Sequence, residues 1–420
     1  MLGIAYDQLA RDLMQRLDRL ALYSECSTQL TRRYLTPQHR GAIGQLSSWM
    51  SDAGMSVRLD EAANLVGRLE GRQPDLPALM LGSHIDTVPD GGRYDGALGI
   101  VLPLVCATYL QRAGWQPCYP LEVTAFGDEE GARFQSTYLG SRAMAGTLDR
   151  AVLEASDSDG ISLRGALRDF GLAPERLAHA ARRPGELAAY VEVHIEQGPV
   201  LEAEDLPVGI VSAIAGATRL AITVSGAAGH AGTVPMALRK DALAAAAEVI
   251  LFIEQYCATE GLVGTVGQLA VAPGAVNVIP GAATFSVDIR AGDDAAREQA
   301  VNTIRATLEP IAARRGVSFD VRQTHSARSV ACDQRLSARL AGAVRACGHP
   351  VKHLPSGAGH DAAAMAALVP SAMLFVRCAK GISHHPDEAI SGADAAAAAR
   401  VLIHFLCHFD PRHIGDWAST

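Results

Sequence analysis

Hydrophobic positions recur at two spacings along this chain, and the two spacings predict different elements. Helical spacing covers residues 6–22, 38–54, 97–112, 334–347, 360–367 and an alanine-rich stretch that begins near residue 391. Short apolar runs typical of buried strands cover residues 64–69, 78–82, 121–126, 189–195 and 372–377. Strands that alternate with helices in this way predict the α/β class, with a mostly parallel sheet flanked by helices.

The middle of the chain follows another pattern. Leu220, Ile222 and Val224 alternate with polar or small residues, which is typical of a strand with one solvated face. The predicted order there is strand, helix (236–257), strand (262–270), strand (282–290), helix (293–315) and strand (317–322). This βαββαβ order predicts a two-layer domain, residues 213–328, inserted into a larger α/β domain made of residues 1–212 and 329–420.

Four predicted strands of the larger domain contain or are followed by histidine or carboxylate side chains. In chain order these are His84 and Asp86, the triplet Asp128-Glu129-Glu130, His194, and the pair His384-His385. A glycine-rich loop, residues 90–96, adds Asp95. Because ligands bind outside the carboxyl ends of the strands in an open parallel sheet, we expect these side chains to converge. Imidazole and carboxylate without thiolate suit Zn, Mn, Co or Ni.

The chemistry of the residue types predicts how the ligands divide between two ions. We expect His84 to ligate one metal ion, with Asp86 holding its other ring nitrogen. Asp95, on a tight glycine loop, can approach both ions and bridge them. His194 and His384 then complete the two sets of ligands.

The adjacent Glu129 and Glu130 cannot do the same job, because successive side chains just past a strand point in opposite directions. One should ligate metal and the other should act as general base. Taken singly, such features are usually surface pairs or solvated turns. The prediction of a metal site therefore rests on the convergence of four separate strand ends.

Composition narrows the possible partners and compartment. The chain has 37 Lys and Arg against 45 Asp and Glu, a net charge of −8 with no basic cluster, which argues against nucleic acid. The longest apolar run, residues 97–110, is too short to span a membrane and contains Pro103. No signal-peptide pattern is present, and the eight cysteines form no C-x-x-C pair. We predict a cytoplasmic protein with reduced thiols and no membrane partner.

Seven segments together resemble one known family: GSHIDTVPDGGRYDGALG, DEEGARF, EVHIEQGPVLE, GHAGTVPM, NVIPG, SGAGHDA and KGISHHPDE. They resemble the hydantoinase/carbamoylase branch of the aminoacylase and carboxypeptidase-like metallohydrolases, which includes N-carbamoyl-L-amino-acid hydrolases and allantoate amidohydrolases. The resemblance spans residues from about 30 to 410 in the same order. It implies a catalytic domain, an inserted lid and dimerisation domain, a homodimer, and two divalent metal ions per subunit.

The resemblance also implies roles for individual residues. The implied metal ligands are His84, Asp95, Glu130, His194 and His384, with Asp95 bridging and Glu129 as the catalytic acid and base. The implied substrate contacts are Gln197, His230, Asn277, Arg290 and the loop from Gly357 to His360. Without the resemblance, His230, Asn277 and Arg290 would be read as ordinary surface or turn residues. His385 directly follows His384, so either ring remains a candidate ligand.

We therefore predict a binuclear metal amidohydrolase that cleaves a carbamoyl (ureido) C–N bond of a small carboxylate and releases amine, CO2 and ammonia. In this hypothesis Glu129 moves the proton, His230 steadies the oxyanion, and Arg290 with Asn277 grips the substrate carboxylate.

Three alternatives stay open. A dipeptidase or aminoacylase would use the same metals. A dinucleotide-binding protein is suggested by the loose G-x-G-x-x-A pattern at residues 357–362, although no acidic residue follows at the usual distance. A catalytically silent metal-binding protein is opposed by Glu129. The ureido substrate and the native metal are not determined by the sequence.

Overall fold

The computed structural model describes residues 3–413. The chain divides into two compact units. One comprises the residues up to Ser212, the segment Cys332–Leu354 and the residues from Gly359 onward. The other comprises Ala213–Ala331 and Pro355–Ala358.

The first unit is built on a sheet whose four central strands are parallel and buried along their whole length. Their order is Leu121–Phe126, Ala78–His84, Leu187–Ile195 and Ser371–Val376. Burial on both faces explains why these strands read as continuous apolar runs in the sequence. The α/β prediction is confirmed for this unit. Two further strands of this unit are Ser56–Leu59 and Leu65–Leu69, and the strands Val208–Ile214, Val330–Ala331 and His353–Ser356 lie at the points where the chain passes from one unit to the other.

Helices accompany this sheet. The longer ones are Tyr6–Ala21, Pro37–Asp52, Ala97–Arg112, Gln334–Ala346 and Gly392–His408. Short α-helices are Leu139–Met144, Leu163–Asp169, Val200–Ala203 and Asp361–Met365. Single 3₁₀ segments are Arg150–Glu154, Pro174–Ala180, Ala379–Gly381 and Pro411–His413. The helix Ala97–Arg112 is almost entirely buried, as its unbroken apolar sequence requires.

The second unit is a two-layer structure of antiparallel strands and two helices. The strand order is Leu269–Ala272, Ala282–Ala291, Gly216–Ser225 and Ser318–Ala327, with Val263–Thr265 also pairing to Ala282–Ala291. The helices are Ala242–Glu260 and Asp294–Arg315, with a 3₁₀ turn at Met236–Leu238 and a small ribbon of Gly229–His230 and Val278–Ile279. Buried and exposed positions alternate along the two middle strands, as the sequence predicted.

Two predicted elements of this unit differ in the structure. The strand predicted over residues 262–270 is interrupted, because the Ser286 hydroxyl accepts the backbone N–H of Gln268 in place of a ladder carbonyl. The helix predicted from residue 236 begins at Ala242, where the Asp241 side chain accepts the N–H of Ala244 and caps it.

The helix Ala242–Glu260 is the one helix among residues 3–413 that is long and apolar enough to cross a membrane. Ala245, Val249 and Ile253 on this helix belong to the buried core of the second unit. Its Glu248 side chain forms an ion pair with Arg315. The buried apolar side chains together with the ion pair identify it as a core helix of this unit with one solvated face.

Candidate metal centre

Asp95 lies on the loop between the strand Ala78–His84 and the helix Ala97–Arg112. The next residue, Gly96, has a φ of +67°, and a β-carbon there would lie 2.5 Å from atoms of the His84 ring. Only glycine allows this turn and this close approach. The loop thereby brings the buried Asp95 carboxylate against His84.

The two oxygens of Asp95 contact separate groups of side chains. Oδ1 lies 3.4 Å from Nε2 of His84 and 3.1 Å from Nε2 of His194. Oδ2 lies 3.2 Å from Nε2 of His384, which is also 3.3 Å from Oε1 of Glu130. Asp95 is therefore shared by two sets of potential ligands, one with His84 and His194 and one with Glu130 and His384.

The orientation of two histidine rings shows that the cluster suits cations. Nδ1 of His84 lies 3.0 Å from the backbone oxygen of Asp86, and Nδ1 of His194 lies 2.9 Å from that of Ile195. A carbonyl only accepts, so each Nδ1 donates, and in the deprotonated ring that a metal ion requires the lone pair of Nε2 points toward Asp95. Lone pairs facing a carboxylate at 3.1–3.4 Å call for a cation between them, and this donor set fits borderline divalent ions.

Asp86 contacts the His84 ring through its main chain and not through its carboxylate. Its carboxylate lies 3.8 Å from Nδ1 of His84, which instead bonds to the Asp86 backbone oxygen. The carboxylate oxygens accept the backbone N–H groups of Glu129 and Glu130, each at 3.2 Å. Asp86 therefore contacts the predicted ring nitrogen through its main-chain oxygen, while its side chain turns to the acidic loop.

The two adjacent glutamates lie beside His84. The ligand atoms of His84, Glu129 and Glu130 all lie within 4.8 Å of one another. Only Glu130 also reaches His384. Glu129 is also buried. It lies beside the cluster but belongs to neither of the two ligand sets that share Asp95.

The pKa values reflect charges packed together away from water. Hydrogen bonds to Asp95 and Glu130 raise the pKa of His384 to about 10. Burial acts to lower the pKa of His84, but its hydrogen bond to Asp95 and the charge of Glu129 outweigh burial and raise that pKa well above the usual range. Burial raises the pKa of Glu129 well above its usual range; His84 opposes the shift and Glu130 adds to it. Bound cations favour deprotonated imidazoles and carboxylates and would relieve these shifts.

The histidine pair separates clearly in the structure. His384 has a φ of +55° and faces Asp95 and Glu130. His385 is exposed, and its Nδ1 accepts the backbone N–H of Asp387 at 3.1 Å. Of the two rings, His384 is the one that lies in the cluster.

Two polar residues near Asp95 received no role from the sequence. Glu388 is buried, and its Oε1 accepts the backbone N–H groups of Tyr94 at 2.8 Å and Asp95 at 3.0 Å. The Ser383 hydroxyl lies 3.0 Å from both Asp95 Oδ2 and Glu388 Oε2. Glu388 thus ties the Asp95 loop to the segment that carries His384. The signal in the sequence was a carboxylate four residues after a candidate ligand, in a segment already singled out.

Gln197, predicted as a substrate contact, lies against the same carboxylate. Its Nε2 donates to Asp95 Oδ2 at 3.0 Å and to the Ser383 hydroxyl at 3.2 Å. Its Oε1 is buried and has no hydrogen-bond partner among the described residues. The side chain therefore touches the cluster while keeping one acceptor available.

His360 is buried in a second group of side chains, and Gly359 precedes it. The His360 ring packs edge-on against His194, with ring centroids 4.5 Å apart, and lies near Glu192. A β-carbon at Gly359 would lie 1.7 Å from the hydroxyl oxygen of Tyr138. Gly359, the second glycine of the SGAGHDA segment, is therefore needed to make room for the Tyr138 phenol. The sequence did not indicate this contact.

Three predicted substrate residues lie in the second unit. The ribbon pairs His230 with Val278, which places Asn277 beside it, and both His230 and Asn277 are exposed. Nδ1 of His230 accepts the N–H of Gly232 at 3.1 Å, so the neutral ring carries its proton on Nε2.

Arg290 is half-buried and already paired. Its Nε and Nη2 donate to the Asp288 carboxylate at 3.3 and 3.0 Å, and its Nη1 donates to the carbonyl of Gly357 at 2.7 Å. This arrangement fixes the guanidinium and leaves two of its five N–H groups for another partner.

Known proteins resemble this chain over nearly its whole length. The profile described as Peptidase family M20/M25/M40 matches residues 80–408. The chain is 43% identical to the N-carbamoyl-L-amino acid amidohydrolase of Geobacillus stearothermophilus over 93% of this chain and 96% of that protein. It is 40% identical to the allantoate deiminase of Arabidopsis thaliana over 95% of this chain and 82% of that one. The solved structure of an amidase of the hydantoinase/carbamoylase family from Burkholderia multivorans matches with a TM-score of 0.89 at 32% identity, covering 94% of this chain and 97% of that chain.

Proposed function

The chain belongs to peptidase family M20/M25/M40, and from that membership we propose that it is a metal-dependent amidohydrolase that cleaves the carbamoyl C–N bond of a small ureido carboxylate. Relatives that are 43% and 40% identical are an N-carbamoyl-L-amino acid amidohydrolase and an allantoate deiminase, both of which support this substrate class. An N-carbamoyl-L-amino acid and allantoate are the two leading candidates.

The observation that carries the proposal is the division of the Asp95 carboxylate between two sets of donors. We assign His84, His194 and Asp95 to one ion, and Glu130, His384 and Asp95 to the other. Zn, Mn, Co or Ni fits this set of imidazoles and carboxylates. When bound, two such ions lower the pKa of a water molecule and polarise the substrate carbonyl.

Glu129 is assigned the proton transfers. It is buried beside His84 and Glu130 and is not part of either donor set around Asp95. Its raised pKa suits a carboxylate that takes a proton from water and returns it to the leaving nitrogen. The overall balance is R–NH–CO–NH2 + H2O → R–NH2 + CO2 + NH3.

Recognition of the substrate is assigned to the second unit. The proton on Nε2 of His230 makes this exposed ring a donor for the developing oxyanion. Asn277 lies beside it and offers an amide to the substrate carboxylate. Arg290, held rigid by Asp288, has N–H groups left for the same carboxylate.

We propose that the active protein is a homodimer formed through the second unit. Apolar side chains close to His230 and Asn277 in the sequence are unusually exposed: Met236 is 77% and Leu238 72% exposed, and Val276 is fully exposed. Such a set of exposed apolar side chains is typical of a surface that another subunit covers. A cytoplasmic location is supported by the eight cysteines, all of which are unpaired within the described residues.

The test is reconstitution with Mn, Co, Ni or Zn, followed by measurement of ammonia from a panel of N-carbamoyl amino acids, allantoate and dipeptides. We expect ammonia from at least one ureido acid and none when Glu129→Gln replaces the wild type. Cleavage of dipeptides with no ammonia from any ureido acid would replace the proposal with the dipeptidase or aminoacylase alternative.

A further inference from the structure

A second group of potential metal ligands lies at the far end of the helix Gly392–His408. The helix begins at the Ser391 cap, just after the segment that carries Glu388, and its 17 residues span about 25 Å. His404 and His408 lie one turn apart at its carboxyl end. This end shares no residue with the cluster around Asp95.

The two rings face each other closely. Their centroids are 4.1 Å apart and their planes differ by 19°. Two histidines four residues apart on one helix face form a known chelating arrangement for transition metals. The spacing holds both imidazoles on one face of the helix, and because ring lone pairs lie in the ring plane, a rotation of the His404 ring out of the stack turns its donor nitrogen toward an ion bound by His408.

The hydrogen bonding of His408 prepares it to bind a metal. Its Nδ1 lies 2.7 Å from the backbone oxygen of His404, which can only accept. Nδ1 therefore donates, and Nε2 of the neutral ring carries an unshared pair. A ligating histidine usually has its second nitrogen bonded to a carbonyl in this way.

The surroundings admit an ion. The pair lines a cavity of about 650 Å³ together with Tyr6, Cys347 and Cys407. The last carbonyls of a helix carry partial negative charge, which favours a cation at this end. Arg400, the one cationic side chain of the cavity wall, has its guanidinium over the Tyr6 ring at 4.4 Å from the centroid. Burial lowers the pKa of His404, with His408 adding to the shift, in the direction that favours the unprotonated ring.

We propose that His404 and His408 form a chelating site for one divalent transition-metal ion, such as Zn²⁺, Ni²⁺ or Cu²⁺, distinct from the metal centre around Asp95. The site requires both imidazoles, because one ring alone cannot chelate the ion and would bind it much more weakly. The proposal does not depend on the reaction that the chain catalyses.

The test counts zinc bound by the full-length protein at equilibrium over a rising series of Zn²⁺ concentrations. Wild type should bind a further ion beyond those of the metal centre. His408→Ala and His404→Ala should each reduce the occupancy of that further ion at least tenfold, while His353→Ala, an exposed histidine elsewhere, keeps it. His408 is exposed, so its removal leaves no cavity, and an unchanged unfolding transition in metal-free buffer verifies the fold.

Two results would overturn the proposal. One is a wild type that never binds more zinc than the metal centre accounts for. The other is a further ion that His408→Ala binds as well as the wild type does. Ammonia release is expected to be the same in His408→Ala and wild type, because the pair contacts no residue of the metal centre.

Discussion

Replacing Glu388 with alanine is expected to weaken metal binding at the cluster around Asp95. Glu388 accepts the backbone N–H groups of Tyr94 and Asp95 at 2.8 and 3.0 Å, and its other oxygen contacts the Ser383 hydroxyl at 3.0 Å. Glu388 is 3% exposed, so in the alanine variant bulk water does not directly reach the N–H groups that lose their acceptor. The two orphaned N–H groups would cost about 1–3 kcal/mol each, or about 2–6 kcal/mol in total.

Part of that cost falls on the stability of the fold and part on metal affinity. Residues that orient metal ligands typically change affinity by about 10- to 100-fold, which corresponds to about 1.4–2.8 kcal/mol. This range lies within the total available from the lost hydrogen bonds. We therefore expect Glu388→Ala to raise the dissociation constant for the ions that Asp95 holds by about 10- to 100-fold.

Glu388→Gln separates hydrogen bonding from packing. The amide oxygen can accept the same two N–H groups, and the amide nitrogen can donate to Ser383, whose hydroxyl then donates to Asp95 Oδ2. Because a neutral acceptor is weaker than a charged one, we expect a loss below about tenfold. Asp387→Ala is the matched control, since the Asp387 side chain is 76% exposed and lies 3.7 Å from His385.

The assay is competition between the metal-free protein and a chelating dye, with the unfolding transition of each variant recorded in parallel. The expected order of affinity is wild type and Asp387→Ala, then Glu388→Gln, then Glu388→Ala. Glu388→Ala with wild-type affinity for both ions would refute the idea that Glu388 holds the Asp95 loop in place for metal binding.

Glu129→Gln is expected to keep both ions and lose nearly all turnover, whereas Glu130→Gln loses metal, and equal metal loss in both would reject the assignment. His384→Ala should lower metal content and activity together, while His385→Ala leaves metal content near wild type; metal analysis with the reverse pattern would show the other ring to be the ligand. If His230 serves the metal centre of the other subunit of the proposed homodimer, His230→Ala and Glu129→Ala, each nearly inactive, should recover roughly a quarter of wild-type activity when refolded together in equal amounts, because about half the dimers are mixed and each mixed dimer holds one intact site. No recovery from demonstrably mixed dimers would mean that His230 acts within its own chain or has no catalytic role.

Much of the fold could be predicted because its signals are local. The helix Ala97–Arg112 and the strand Leu121–Phe126 match the prediction residue for residue, since each is a mostly apolar segment between glycine, proline and polar breaks. The predicted strand over residues 262–270 failed because its interruption depends on the Ser286 hydroxyl, which is distant in the sequence. Pairing partners of this kind leave no trace in the periodicity of either segment.

The candidate site divides in the same way. The positions of His84, His194 and Asp95 follow from strand ends and a glycine loop, and the resemblance to the hydantoinase/carbamoylase branch is confirmed by the relatives. Which oxygen of Asp86 meets the His84 ring could not be predicted, because the main-chain oxygen competes with the carboxylate of the same residue and residue types alone cannot decide between them. The role of Glu388 was not assigned because two of its partners are backbone N–H groups, which every residue but proline possesses, and its position four residues after His384 does not identify them.

The central claim is that one carboxylate, Asp95, serves two ions through separate oxygens. Anomalous X-ray diffraction from crystals of the zinc- or manganese-loaded protein tests it most directly. In the cluster around Asp95 we expect two anomalous peaks, one at ligand distance from Asp95 Oδ1, His84 and His194, and one at ligand distance from Asp95 Oδ2, Glu130 and His384. A single peak in this cluster at saturating metal, or two peaks of which one does not touch Asp95, would contradict the account.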